Sequence, residues 1–238
     1  ISNAARSLVM ALTLARFERV PGSGPTRRYF QHIERFSASF AFATDVAMLT
    51  LGGYLKKKES ISARLGDVLS AMYLASMVLK HHEDQGSPDA DLPIVEWCCR
   101  ELLYQAQEQL HGMLRNFPVR SMAWLMRALI FPRGLTYFAP GDKLGRAVAG
   151  LVQEAGEPRD RLASGIHREA HLGNPLGQLQ RALELAPAAE LIEKKLRVSG
   201  VKMGLISALE LPGQIEQGLA LGIISAAEAT ALRDYDRL

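Results

Sequence analysis

The chain has 238 residues, 48% of them hydrophobic and 22% charged, so it can bury a sizeable core in one or two domains. A net charge of +3 with acids interspersed throughout excludes the strongly basic surface of a nucleic-acid binder. The two cysteines, Cys98 and Cys99, are adjacent, which disfavours a disulfide between them, lacks metal-ligand spacing and fits a reducing cytoplasmic compartment.

Helical periodicity governs the chain from its first residues, where Leu8, Leu12 and Leu14 recur at helical spacing. Clusters such as Pro21-Gly22-Ser23-Gly24-Pro25, Gly52-Gly53, Gly86-Ser87-Pro88 and Pro132-Arg133-Gly134 punctuate it. Between them the spacing predicts helices over residues 2–20, 26–51, 57–85, 90–116, 118–131, 142–155, 175–186, 188–197, 203–210, 213–221 and 225–237. No segment reads as a strand. The expectation is an all-α protein, a long antiparallel helix bundle followed by shorter helices after about Pro140. Its divisions are expected at 1–52, 53–138 and 139–238.

Residues 36–51 form the most apolar stretch, with Phe36, Phe40, Phe42, Val46 and Leu49. Asp45 near its middle and its length, short of the roughly 20 residues needed to span a bilayer, favour a buried bundle helix. At the other end of the chain Ser225 and Glu228 have capping-box spacing. The start at Ile1 without Met and a helix still running at Leu238 raise the expectation that the sequence is a segment of a larger protein.

Candidate chemistry is sparse. His167 and His171, with Glu169 between them, have i, i+4 spacing, but neighbouring Gly and Pro favour a solvent-facing pair over a metal site. His81-His82 close a helix before Gly86, where imidazolium suits the C-terminal dipole. Cys98 and Cys99 read as packing residues. No Gly-x-Ser-x-Gly elbow or Gly-x-Gly-x-x-Gly phosphate loop occurs. Lys56-Lys57-Lys58 form the densest positive run. They read either as a solvated helix terminus or as a contact for anionic lipid or phosphate, worth roughly 1 kcal/mol per lysine. Arg64 and Asp67, i, i+3 on one helix, are expected to form a structural ion pair with each other or with neighbouring helices.

The stretch Ile61-Ser62-Ala63-Arg64-Leu65-Gly66-Asp67-Val68-Leu69-Ser70 resembles the C-terminal region of the large bacterial acyl-coenzyme A dehydrogenases of fatty-acid β-oxidation. Further segments follow in that family's order: Ala90-Asp91-Leu92-Pro93, Asn116-Phe117-Pro118, Ile130-Phe131-Pro132-Arg133-Gly134, Ala139-Pro140-Gly141-Asp142-Lys143-Leu144 and Asn174-Pro175-Leu176-Gly177. Residues 64–101 are more faintly similar to the C-terminal extension of the very-long-chain enzymes.

The resemblance implies a parent flavoenzyme in which FAD takes a β-hydride while a glutamate takes the α-proton of a fatty acyl thioester. That base is expected upstream of Ile1. No glutamate here matches its motif, and Glu34 receives no catalytic role. Residues 1–52 would be the last helices adjoining the catalytic core, and the rest an appended domain. The implied partners are the upstream catalytic domains, fatty acyl-CoA through the parent, a second copy of the chain and the periphery of the inner membrane. The rival reading is a helical protein- or membrane-interaction module without enzymatic activity, docking through an exposed apolar face.

Overall fold

The computed structural model describes residues 2–167 and 173–237. Among them there is no strand, and 76% of the chain is helical, which places the protein in the all-α class. The helices are α1 Ser2–Thr13, α2 Arg27–Leu51, α3 Glu59–Asp84, α4 Leu92–Arg115, α5 Arg120–Ile130, α6 Asp142–Gln153, α7 Glu157–Leu162, α8 Pro175–Leu196, α9 Leu211–Ala220 and α10 Ala226–Asp236. The chain divides into two compact units, residues 1–149 and 150–238, with the division inside α6.

In the first unit α3 packs chiefly on α4, α2 on α3, and α1 on α2 and α5. The reason is visible in the spacing. Ile61, Leu65, Val68 and Met72 make one stripe of α3, and Leu103, Ala106, Leu110 and Met113 make one of α4. Phe36, Phe42 and Val46 of α2, with Met126 and Ile130 of α5, complete the same core. Burying each large apolar side chain contributes about 1.5–3 kcal/mol. This core runs across residue 52, so residues 1–52 and 53–138 share one hydrophobic interior.

Two features of this unit differ from expectation. The helical stretch around α2 runs from Gly24 to Lys57, 34 residues, because short 3-10 segments, Gly24–Thr26 and Gly52–Lys57, adjoin its two ends. By length and composition it is long and apolar enough to cross a membrane, where residues 36–51 alone had looked too short. In addition, α1 stops at Thr13 rather than near residue 20. Leu14 and Ala15 adopt left-handed φ values of 52° and 53°, a conformation that costs on the order of 1–3 kcal/mol per non-glycine residue.

That turn is held from outside. Arg28 Nη1 donates to the Leu14 carbonyl at 3.2 Å, and Gln31 Nε2 donates to the Arg16 and Glu18 carbonyls, both at 3.1 Å. Arg133 Nη1 donates to the Leu12 carbonyl at 3.2 Å. All these donors lie well downstream of the turn, so nothing local in the sequence announces where α1 ends.

The second unit has a smaller core of Ile192, Leu196, Ile206, Ile215, Ile224 and Leu232. Helix α8 is continuous through Pro187, where a break between residues 186 and 188 was expected. Proline inside a helix costs about 3 kcal/mol through its missing N–H and ring clash. Burial of Ala189, Ile192 and Leu196 beyond it offsets that cost.

The helix expected at 203–210 does not form. A π-helical turn, Arg197–Val201, is followed by Gly204 at a φ of 71°, which ends the helical path. Gln217 Oε1 then accepts from the Ser207 and Ala208 N–H groups at 2.9 and 3.2 Å. Helix α7, not foreseen, starts after Gly156 with Pro158 in its first turn. The capping box of α10 forms as its spacing predicts: Glu228 N–H donates to Ser225 Oγ at 3.2 Å, and Ser225 N–H donates to Glu228 Oε2 at 2.7 Å.

Candidate functional site

The lysine run occupies the turn after α2. Gly52, at a φ of 48°, ends that helix, and Gly52–Lys57 forms a 3-10 segment that leaves Lys56 and Lys57 exposed. Lys58 is half-buried, with Nζ 5.3 Å from the centroid of the Tyr54 ring, a cation–π contact. Beside the lysines Met48 is 60% exposed and Leu49 85% exposed, an apolar patch at the same elbow.

Arg64 and Asp67 do not pair with each other. Arg64 is half-buried and turns toward α4, where Gly112 leaves room for it; a Cβ at residue 112 would lie 3.1 Å from Arg64 Nε. Its Nη1 donates instead to the Ser60 carbonyl at 3.2 Å, and Asp67 points to solvent.

Of the other singled-out residues, His167 is described, whereas Glu169 and His171 lie outside the described residues. Among the described residues no three His, Cys, Asp or Glu side chains converge as a metal site would require. His81 is exposed at the end of α3, but His82 is buried, with Nδ1 lacking a partner, so only the first suits a role at the helix terminus. Both cysteines are free thiols. Cys99 packs with Leu79 and Val95, and burial, with Cys98 beside it, pushes its thiol up to about 12, which leaves it without reactive thiolate at neutral pH.

The most developed site is one that no motif marked. A cleft of about 450 Å³ lies between α2, α4 and the segment after α5, lined by Arg28, His32, Arg100, Leu103, Tyr137 and Phe138 among others. Its back wall is fixed by Gln107 of α4, only 1% exposed. Gln107 Oε1 accepts from the Thr136 and Tyr137 N–H groups at 2.8 and 3.0 Å, and its Nε2 donates to the Tyr137 carbonyl at 2.9 Å. Three hydrogen bonds from one side chain thus hold a segment that has no secondary structure of its own.

The clamp brings Tyr137 onto α2, its hydroxyl 2.8 Å from His32 Nδ1 and its ring 5.1 Å from Arg35 Cζ. Arg35, 1% exposed, donates to Thr136 Oγ1 at 2.9 Å. Burial, with the positive Arg28 and Arg35 alongside, pushes His32 down to about 3, so its imidazole is neutral. Burial likewise raises Tyr137, against the opposing pull of Arg35, and the phenol keeps its proton. At the rim Arg100 pairs with Glu96 at 2.6 Å.

A neutral imidazole and a neutral phenol bonded to each other, flanked by guanidinium groups, suit the binding of an anion better than proton transfer near neutral pH. The signal available in the sequence was the i, i+4, i+7 spacing of Arg28, His32 and Arg35, which places the three on one face of α2.

No solved structure matches the chain. The sequence profile of the family described as acyl-CoA dehydrogenase, C-terminal, bacterial type, matches residues 1–238. With a match over its whole length and an all-helical fold, the chain belongs to the bacterial-type acyl-CoA dehydrogenase C-terminal family.

Proposed function

We propose that this chain is the C-terminal region of an FAD-dependent acyl-CoA dehydrogenase of fatty-acid β-oxidation and serves there as an accessory helical body. In this reading it packs on the catalytic domains and stabilises them, while the glutamate base and the flavin belong to the upstream part of the protein. The observation that carries it is the family match over residues 1–238. The 450 Å³ cleft does not fit FAD, because a dinucleotide with a tricyclic ring needs a longer groove, and none of the cleft residues is assigned to the flavin.

Deleting this region from the full-length enzyme tests the reading. The expected result is a lower unfolding temperature and weaker subunit recovery, with the remaining flavin still reducible by substrate. A purified 238-residue chain that retained FAD and oxidised palmitoyl-CoA by itself would overturn it.

A second role rests on the elbow after α2, and localisation at the periphery of the inner membrane would follow from it. Exposed Met48 and Leu49 next to Lys56 and Lys57 offer apolar insertion beside positive charge, the combination that anionic lipid surfaces select. Co-sedimentation with vesicles should rise with anionic lipid content and fall in the Lys56→Glu, Lys57→Glu double variant. Binding indifferent to both would remove the elbow from consideration.

A further inference from the structure

Charge balance around the cleft is incomplete. Arg28 donates to two neutral acceptors, the Leu14 carbonyl and Gln31 Oε1, the latter at 2.6 Å. Arg35 has Thr136 Oγ1 and the Tyr137 ring. Among the described residues no carboxylate lies within ion-pair distance of either, and Glu96 serves Arg100 alone at the rim. Arg28 is half-buried and lines the cleft, so an anion entering there would supply the counter-charge that its present neutral acceptors do not.

The remaining groups are compatible with such a guest. Neutral His32 shares a 2.8 Å hydrogen bond with the Tyr137 hydroxyl through Nδ1, and in the tautomer in which Tyr137 donates, the imidazole keeps its proton on Nε2 as a neutral donor. Leu14, Leu103 and Phe138, the last 75% exposed at the rim, supply an apolar side. The cleft volume of about 450 Å³ falls within the range of small-molecule sites. Gln107 holds the wall in place before any ligand arrives.

We propose that this cleft binds a small organic oxyanion, a carboxylate or phosphate head on an apolar body, with Arg28 and Arg100 as the charged contacts and His32 as a neutral donor. The proposal does not depend on the accessory reading above. Carboxylate and phosphate share the oxyanion chemistry that a guanidinium fork recognises, and the experiment separates them.

Titration calorimetry on the 238-residue chain with decanoate, decyl phosphate and inorganic phosphate provides the test. Either decyl compound should bind more tightly than inorganic phosphate, and the stronger of the two identifies the head group. Arg100→Gln removes a rim contact without touching the Gln107 bonds that hold the cleft wall, and should weaken binding roughly tenfold. Glu96→Gln frees Arg100 from its competing carboxylate and should tighten binding several-fold, an effect that a purely structural arginine would not produce.

The control is Arg127→Gln, in a smaller cleft of about 280 Å³ lined by Arg115, Arg120, Trp124 and Arg127, and it should change nothing. The proposal is overturned by no binding at millimolar concentration, by binding indifferent to Arg100→Gln and Glu96→Gln, or by binding lost in Arg127→Gln. Inorganic phosphate binding as tightly as the decyl compounds would eliminate the apolar body and with it the proposed ligand class.

Discussion

Both units pin an irregular segment with one helical glutamine, yet the two glutamines sit in different surroundings. Gln107 of α4 holds Thr136 and Tyr137 from inside the larger core, whereas Gln217 of α9 holds Ser207 and Ala208 from a half-buried position. The hydrogen-bond pattern is the same: one amide oxygen accepts from two successive N–H groups. What differs is access to water, and this decides how much the device is worth, because a buried group left unpaired suffers its full desolvation penalty while an exposed one finds water instead.

The largest effect should therefore come from Gln107→Leu, which orphans three backbone groups and is expected to destabilise the first unit by about 4 kcal/mol. Denaturant unfolding together with fast amide exchange at Thr136 and Tyr137 would show it. Retained protection there would mean that the segment is held by Tyr137 packing rather than by the clamp.

Acid comes next. The folded pKa of His32, about 3, lies below the ordinary 6.5, so between these values the unfolded chain binds a proton that the folded one refuses. Stability should fall as pH drops through that window, by about 3 kcal/mol near pH 4, and be unaffected by this group above 6.5. His32→Gln should flatten the profile. An unchanged slope in that variant would assign the acid sensitivity to other groups.

In the second unit tightness lies in backbone approach rather than in polar burial. A Cβ at Gly218 would meet Leu196 Cδ2 at 2.2 Å, and Gly218→Ala should cost about 2 kcal/mol in thermal unfolding. The smallest effect is expected from Gln217→Ala, about 1 kcal/mol, with water replacing the lost acceptor at Ser207 and Ala208. Should Gln217→Ala equal Gln107→Leu, the contrast between buried and half-buried clamps would collapse.

The same contrast explains what could be read from the sequence. Helices α2 to α5 were legible because Phe36, Leu65, Leu110 and Met126 repeat at the helical period on faces that the fold buries. The α10 capping box was legible because its partners are three residues apart. Pro187 misled because a local rule about proline was outweighed by packing that involves Ile215 and Leu232. The cleft escaped notice because Tyr137 reaches His32 across 105 residues, and Gln107 gives no hint in its neighbourhood of the segment it holds. Arg64 packs within the bundle, but its partners, the Ser60 carbonyl and the Gly112 surface, replace the acid that i, i+3 spacing offered.

The left-handed turn at Leu14 and Ala15 is linked to the cleft through a single side chain. Arg28 both steadies that turn and lines the cleft, so one guanidinium is shared between a strained backbone and any anion that enters. Drawing Arg28 toward a ligand slackens its hold on the Leu14 carbonyl, and loosening the turn frees Arg28 for the ligand. By thermodynamic reciprocity the two events shift one another by the same factor, which makes the end of α1 a reporter of occupancy in the cleft.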